Sequence, residues 1–342
     1  MSISEKGIEV LGLGHKRVEI KTEEGHTIRA EHAVEATCIP LQKLSVITQL
    51  EFYRSYCIAV RVPRGSIEDC LLYDNAEEYK YVRLTACDET DDYLVVGGCD
   101  HKVGQEETLP RFDELETWTR ERFPQAGKTD YKWSGQIFEP VDYMAFIGKN
   151  QGCERIYIIT GDSGDGLTHG TLAGRLIADE IDGVKNDWAE LYSPKRVWSI
   201  LKSLPSLVSH DLQINAQYKR FLETDIVDIE DLGRGCGGVL NPVGLDVGFL
   251  SFVQLLTVKS QGTTKPMAVY KDDNGNVTKF SALCPHLKGV VCWNSAEKSF
   301  DCPVHGSRFS KEGVCVIGPA KANLAPADEA GKREQGIAVG AS

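Results

Sequence analysis

The chain has 342 residues, enough for two compact domains that each bury a hydrophobic core. Hydrophobic residues make up 42% and charged residues 26%, which are globular values and exclude a wholly disordered chain or a small disulfide-stapled scaffold. Lys and Arg number 38 against 50 Asp and Glu, and the resulting net charge of -12 argues against nucleic acid as a partner.

Cysteine count and hydropathy predict a cytoplasmic protein with no membrane partner. The eleven Cys are an odd number, and the opening MSISEKGIEV is not the cationic and then apolar run of a secretion signal. The most apolar stretch, residues 239–258, includes Asn241, Pro242, Asp246 and Gln254, which are costly in hydrocarbon. We therefore expect reduced thiols and no membrane span.

The first half of the chain predicts a sheet with a few helices. Residues 18–22 and 27–37 alternate around the turn-prone Glu24-Gly25 and predict a hairpin. Further strands are expected at 54–62, 79–84, 93–98 and 155–160. Helices are expected at 109–123, after the glycine-rich turn as far as Gly183, and at 195–224 with an interruption at Pro205.

From about Asp228 the pattern changes to short strands and glycine turns. Residues 268–270 and 277–283 flank Asp273-Asn274-Gly275, and Asn-Gly supplies the positive φ angles of a tight hairpin turn. This half is therefore predicted to be an all-β domain. An apolar segment at 239–259 interrupts the expected start of this domain, either as a genuine loop or as a retained intron, and a disordered polar tail is expected from Pro326.

Two loops in this second half carry a metal-binding pattern. They read Cys284-Pro285-His286 and Cys302-Pro303-Val304-His305, so each offers one thiol and one imidazole. Their Pro and Gly neighbours supply the tight turns that convergence needs. A zinc finger would pair Cys with Cys and His with His around a helix, although a Cys2His2 zinc site stays an alternative. The pattern suits a Rieske 2Fe-2S cluster, in which two Cys hold one iron and two His the other.

The two loops, followed by Gly318-Pro319-Ala320 as a third, covering loop, resemble the Rieske domain over about residues 227–325. The resemblance implies a domain that carries single electrons. The ligands that it implies are, for one iron, Cys284 and Cys302 and, for the other, His286 and His305.

Two features depart from the high-potential Rieske proteins. Gly289 and Val304 stand where those proteins have two cysteines joined as a disulfide, and Phe309 replaces a tyrosine near the cluster sulfurs, while Ser307 is present. A lost hydrogen bond to the cluster disfavours its reduced form, so we expect a potential toward the low end of the Rieske range of about -150 to +300 mV. The alternative is a disulfide between Cys292 and Cys315 in place of the absent one.

A second motif lies in the first half, where a strand, the turn Gly161-Asp162-Ser163-Gly164-Asp165-Gly166 and a helix follow one another. Such a turn directs backbone N–H groups and the positive end of the helix dipole at a ligand, but it also fits an ordinary tight turn. Together with Trp133-Ser134-Gly135-Gln136 and Glu139-Pro140-Val141-Asp142, it resembles the D-amino-acid-oxidase-like FAD-dependent oxidoreductases over about residues 17–225. The flavin contacts implied by this resemblance are Gly161, Asp162, Gly164, Gly166, Leu167 and Thr168.

One part of that family pattern is missing. Its members open with a strand, G-x-G-x-x-G and a helix that hold the FAD pyrophosphate. Here Gly12-Leu13-Gly14 does not complete the motif, because Arg17 occupies the third glycine position. The sequence therefore resembles the C-terminal portion of the family without its ADP-binding half, either as part of a longer protein or as a chain that no longer binds FAD.

The expected architecture is an α+β domain, the C-terminal part of an FAD-dependent oxidoreductase fold, at residues 1–226, a small all-β Rieske domain at 227–325 and a tail at 326–342. The implied function is flavin-dependent oxidation of an amine or amino-acid-like small molecule, with electrons relayed singly through the 2Fe-2S cluster to a redox protein partner. A non-enzymatic Rieske electron carrier with a flavin-free remnant is the alternative.

No catalytic residue is assigned from the sequence. His101, with Lys102, is expected on a solvated loop, and a place in a substrate cavity is the alternative. Arg83 fits a substrate carboxylate and a structural salt bridge equally well.

We expect His286→Cys to keep or weaken the cluster and to lower its reduction potential, because a thiolate adds negative charge where a neutral imidazole stood. A redox titration followed by EPR measures this change. His26→Cys, on the predicted hairpin, is the matched control and should leave the potential unchanged. A cluster-loaded His286→Cys protein with the parent potential would contradict histidine ligation.

Overall fold

The computed structural model describes residues 7–11, 17–22, 24–40, 46–76, 78–196, 212–241 and 265–327. Several sequence predictions fall outside these ranges: the incomplete glycine motif at 12–14, most of the insertion at 239–259, the interruption at Pro205 and the tail beyond residue 327. Within them, no helix is long and apolar enough to cross a membrane.

The described fold contains eighteen strands and three named α-helices, and residues 212–216 are also helical. The strands are β1 (Gly7–Leu11), β2 (Val18–Thr22), β3 (Thr27–Ala30), β4 (Ala33–Glu35), β5 (Leu50–Pro63), β6 (Leu72–Tyr73), β7 (Lys80–Ala86), β8 (Asp91–Lys102), β9 (Thr129–Pro140), β10 (Phe146–Lys149), β11 (Ile156–Thr160), β12 (Cys236–Leu240), β13 (Met267–Lys271), β14 (Val277–Ser281), β15 (Cys292–Asn294), β16 (Ser299–Asp301), β17 (Arg308–Ser310) and β18 (Cys315–Ile317). The helices are α1 (Leu109–Arg122), α2 (Gly166–Ile181) and α3 (Ala189–Tyr192), with 3-10 helices at Val46–Gln49 and Gln217–Leu222.

The first half of the chain contains two three-stranded sheets. Strands β1, β2 and β3 form an antiparallel meander, and Gly25 turns between β2 and β3 with a φ of 86°, which glycine adopts without strain. The predicted hairpin is confirmed, but its second arm divides because β4 leaves to pair in parallel with β11. Helix α2 packs on this second sheet, β10-β11-β4, with Ala173, Leu176 and Ile177 buried against it.

The largest sheet has five strands in the order β6-β7-β8-β5-β9, and every neighbouring pair is antiparallel. Its central strand β5 alternates, so that Phe52, Arg54 and Tyr56 are buried on one face while the residues between them are half-exposed on the other. Helix α1 covers part of the buried face through Leu115. The strands predicted at 54–62, 79–84 and 93–98 are confirmed, and β5 and β8 extend beyond the predicted ends.

The second half consists of two antiparallel sheets, β12-β13-β14 and β15-β16-β17-β18, which confirms the all-β prediction. The hairpin of β13 and β14 turns at Asp272, whose carboxylate accepts hydrogen bonds from the N–H groups of Asn274 and Asn276. Phe280 and Phe300 lie in the shared core of these sheets. The residues that follow the first half also pack on this core, through Ile214, Tyr218 and Phe221, so the boundary at residues 226 and 227 stays a prediction.

The α1 core offers a test of the fold with a matched control. Leu115 is fully buried against β5 and β8, so Leu115→Ala should lower the free energy of unfolding by about 2–5 kcal/mol. Leu109 begins the same helix at 54% exposure, and Leu109→Ala should cost no more than about 0.5 kcal/mol. Urea denaturation measures both changes, and equal losses would contradict the packing of α1.

Candidate functional site

The four candidate metal ligands lie on two loops with the same backbone construction. The first follows β14, and the second joins β16 to β17. In the first, the N–H of Lys288 donates to the Cys284 carbonyl (2.9 Å), and in the second the N–H of Gly306 donates to the Cys302 carbonyl (2.9 Å). Gly306 has a φ of 68°, a value that favours glycine. Each loop therefore folds its own cysteine and histidine onto the same side.

The two cysteine side chains meet. Cys284 and Cys302 are 1% and 2% exposed and are hydrogen-bonded to each other through their side chains. Because the Cys302 thiol donates to Cys284, the pKa of Cys284 is lowered and that of Cys302 is raised. Backbone N–H groups also point at each sulfur, from residues 286 and 287 toward Cys284 and from residues 304 and 305 toward Cys302, and the Ser307 hydroxyl bonds to Cys284. These donors stabilise the thiolate form that binds metal.

The two histidine rings also meet. The centroids of His286 and His305 are 5.0 Å apart, with the planes at 74°. Among the residues that the structure describes, no three His, Cys, Asp or Glu side chains are grouped around a single ion position. The same two loops therefore present a sulfur pair and an imidazole pair, and this donor set fits a cluster with one pair on each iron.

Gly289 and Val304, which replace the disulfide of the high-potential Rieske proteins, face each other across these loops. A Cβ built on Gly289 would lie 3.2 Å from the Cβ of Val304 and 3.3 Å from the Cys302 Sγ. The alternative staple from Cys292 and Cys315 is wrong, because their thiols point to different carbonyls. That of Cys292 lies 3.0 Å from the Gly104 oxygen, and that of Cys315 lies 3.2 Å from the Ala320 oxygen.

The glycine-rich turn connects β11 to α2 and is open on its outer side. Gly161 has a φ of 71°, and a Cβ there would lie 2.5 Å from the Cγ of Pro140. Position 161 therefore requires glycine, whereas a Cβ on Gly166 would lie 2.7 Å from the flexible Asp162 carboxylate, which would have to move. Leu167, at the start of α2, is 93% exposed. The turn thus presents an uncovered helix N-terminus and an uncovered apolar side chain.

The open face of the large sheet lies beside this turn. Ile137 on β9 is the nearest side chain to a Cβ built on Gly164, at 3.9 Å. On this face the Cys57 Sγ lies 3.2 Å from the Tyr81 hydroxyl on β7. Burial raises the pKa of the Asp100 carboxyl, and burial with the nearby acidic groups raises the pKa of Glu139. The face therefore combines hydroxyl, thiol and carboxyl groups that are only partly hydrated.

The second metal loop packs on the other face of the same sheet. The ring of Phe52 on β5 meets that of His305 edge to face, with centroids 6.0 Å apart. Gln136 on β9 donates from Nε2 to the Gly306 carbonyl at 2.9 Å. Beside them Arg54 pairs with Glu297, with Nη2 and Oε1 3.2 Å apart. Strands β5 and β9 thus separate the open face from the metal loops.

Comparison with protein families matches residues 5–180, more than half of the chain, to the FAD dependent oxidoreductase family. The chain belongs to this family. Residues 253–328 match the Rieske [2Fe-2S] domain. Both resemblances seen in the sequence are confirmed, and with them an α+β oxidoreductase half followed by an all-β Rieske half and the expectation of FAD and a 2Fe-2S cluster as cofactors.

The chain is similar, over most or part of its length, to several known proteins. YhfW of Bacillus subtilis, whose name describes a Rieske 2Fe-2S iron-sulfur protein, is 24% identical over 89% of this chain, which spans 56% of the length of YhfW. The chloroplastic cytochrome b6-f complex iron-sulfur subunit of Arabidopsis thaliana is 42% identical over 22% of this chain and 35% of its own. Glycine oxidase from Geobacillus kaustophilus has a TM-score of 0.46 at 16% identity, over 56% of this chain and 52% of its own.

The glycine-rich turn of this FAD dependent oxidoreductase fits a flavin edge. Glycines occupy the positions where a Cβ would collide, and the first turn of α2 is uncovered. The residues that would hold the flavin there are those predicted from the sequence, and these contacts stay a prediction: Gly161, Asp162, Gly164, Gly166, Leu167 and Thr168.

Sequence reasoning misplaced one residue and missed the inter-domain contacts. His101 was expected on a solvated loop, but it lies on β8 at 4% exposure. Its Nδ1 donates to the Lys102 carbonyl (3.0 Å) and its Nε2 accepts from the Tyr56 hydroxyl (2.8 Å), while burial lowers its pKa. The alternation along β5 and β8 could have placed His101 and Arg54 inside, but it could not show that the Rieske half covers them.

Because positions 289 and 304 face each other, we predict that a disulfide can be introduced between them. In Gly289→Cys/Val304→Cys the Cβ atoms would stand close to the separation of about 3.5–4.5 Å that disulfides have, so the two loops should become linked. Mass spectrometry after alkylation without reductant measures this linkage. The two single variants are the controls and should each gain one alkylated thiol. Two more alkylated thiols in the double variant than in the parent protein would contradict the loop geometry.

Proposed function

We propose that this protein oxidises an amine or amino-acid-like small molecule and passes the electrons singly through its Rieske domain to a redox protein partner. When bound, FAD supplies two-electron oxidation of a C–H bond beside nitrogen, and the 2Fe-2S cluster supplies one-electron transfer. The observation that carries the proposal is that the open face beside the glycine-rich turn and the second metal loop lie on opposite faces of the same two strands, β5 and β9.

The open face supports a substrate with a cationic nitrogen. Asp100 and Glu139 lie there among half-buried tyrosines, and Glu51 and Asp100 each contribute to the raised pKa of Glu139. Neighbouring carboxylates attract an ammonium group, and a carboxylate with a raised pKa accepts a proton from it more readily than an ordinary one does. Hydride transfer beside nitrogen needs the neutral amine, so these carboxylates suit the binding and deprotonation of an amine.

The covered face supports the relay. Phe52 packs on His305, and Gln136 holds Gly306 by a hydrogen bond to its carbonyl. These contacts fix the imidazole of the second loop against the sheet rather than leaving it in solvent, since His305 is 5% exposed. The chain therefore holds the two redox sites in a defined relation through side chains of β5 and β9.

We expect the purified chain to show flavin absorption bands and, after dithionite reduction, the EPR signal of a reduced Rieske cluster. Anaerobic addition of a substrate from a panel of amines and amino acids should then bleach the flavin band and produce the same EPR signal without dithionite. The physical reason is that electrons taken from the substrate reach the cluster through the protein.

Single substitutions distinguish the contribution of the metal loops from that of the flavin site. Cys302→Ser should abolish the EPR signal and retain the flavin bands, whereas Cys70→Ser, an exposed cysteine on the surface, should change neither. A Rieske signal without flavin bands would favour the non-enzymatic electron carrier instead. A colourless protein that contains zinc would exclude both functions.

A further inference from the structure

A polar cavity lies between the oxidoreductase half and the Rieske half. Its volume is about 470 Å³, and its walls include Arg54 of β5 and residues 104–108 on one side and residues 292–295 on the other. Since Arg54 projects from the covered face of β5, this cavity is separate from the open face proposed to bind the amine.

Arg54 is the least satisfied charged group on this wall. The residue is 1% exposed, and its ion pair with Glu297 has Nη2 and Oε1 3.2 Å apart. None of its three nitrogens has a hydrogen-bond partner among the described residues, although a guanidinium carries five N–H donors. Burial, followed by the nearby Arg308, lowers the pKa of Arg54, which reflects the cost of this poorly compensated charge.

The opposite wall adds two more buried donors. The Nε of Arg220 and the Nε1 of Trp293 have no hydrogen-bond partner among the residues that the structure describes. Arg220 is held in place by Asp225, with Nη2 and Oδ1 2.7 Å apart. Donors from both halves of the protein therefore line one cavity.

Four carboxylates line the cavity: Glu106, Asp225 and Asp301 are engaged with other donors, and Glu107 is exposed to solvent. Asp301 accepts hydrogen bonds from Asn294 (2.8 Å), Ser299 (2.8 Å) and Arg308 (3.1 Å). Asp225 accepts from Arg220 and from a backbone N–H. Among the described residues, none of these carboxylates accepts a hydrogen bond from Arg54, from the Nε of Arg220 or from the Nε1 of Trp293, and such buried donors require an acceptor from a ligand or from water.

We infer that the cavity binds a small organic carboxylate whose two oxygens pair with the guanidinium of Arg54. A carboxylate matches the planar fork of arginine with two parallel hydrogen bonds. The two negative charges of phosphate would be repelled more strongly by Asp225 and Asp301. A volume of about 470 Å³ leaves room for an organic remainder beyond the carboxylate. Because its partners come from both halves, the ligand stabilises their packing.

Isothermal titration of the cluster-loaded chain with the monocarboxylate sodium butyrate at constant ionic strength tests this inference. We expect one site per chain and a rise in the thermal unfolding temperature. Arg54→Lys keeps the charge but loses the fork, and it should weaken butyrate binding by about tenfold or more. Trp293→Phe removes one N–H donor and should weaken it by about threefold.

Three outcomes would overturn the site: no saturable binding, which would mean that water alone fills the cavity; tighter binding of inorganic phosphate; or unchanged affinity in both variants. Tyr81→Phe, on the open face, should leave butyrate binding unchanged, and a loss there without one in Arg54→Lys would place the anion on the open face instead. If Arg54→Lys does not fold, Trp293→Phe decides. Binding is measured without turnover, so its failure leaves the proposed oxidation untouched.

Discussion

The packing of the second metal loop on β5 and β9 is the contact on which the arrangement of the two halves depends. The loop can approach this closely because residue 306 is glycine. A Cβ there would lie 2.9 Å from the Cδ1 of Phe52, and the φ of 68° is one that favours glycine. A larger residue would therefore push the loop, and His305 with it, away from the sheet.

A buried network of charges makes the same contact specific. Glu297 of the Rieske half pairs with Arg54 of β5 and with Arg308 of its own half, and it also accepts a hydrogen bond from Ser134 of β9. Buried ion pairs add little net stability because desolvation offsets their attraction, but an unpaired buried charge is costly. A docking of the two halves that moved Glu297 away would leave Arg54 without its ion-pair partner, whereas Glu297 would keep Arg308, so the network favours the observed orientation.

The sequence predicted the motifs that neighbouring residues determine and missed the contacts between distant parts of the chain. The two metal loops could be found because Cys, His, Pro and Gly at short spacing determine each loop by itself. The turn at Gly161 could be found for the same reason, since a strand, glycines and a helix follow one another. The element that covers Arg54 could not be found, because alternation along a strand indicates a covered face without indicating what covers it. The covering element lies about two hundred residues away in the chain.

The two histidines, although chemically alike, have different surroundings. His305 is 5% exposed and packs on Phe52, whereas His286 is half-buried and precedes Leu287, which is 51% exposed. One imidazole therefore faces the oxidoreductase half and the other lies near solvent. In the proposed relay, electrons from the oxidoreductase half would arrive on the side of His305, and an external protein would approach on the side of His286. The fold thus gives the two ends of the relay different places, because a single loop contact buries one histidine and leaves the other accessible.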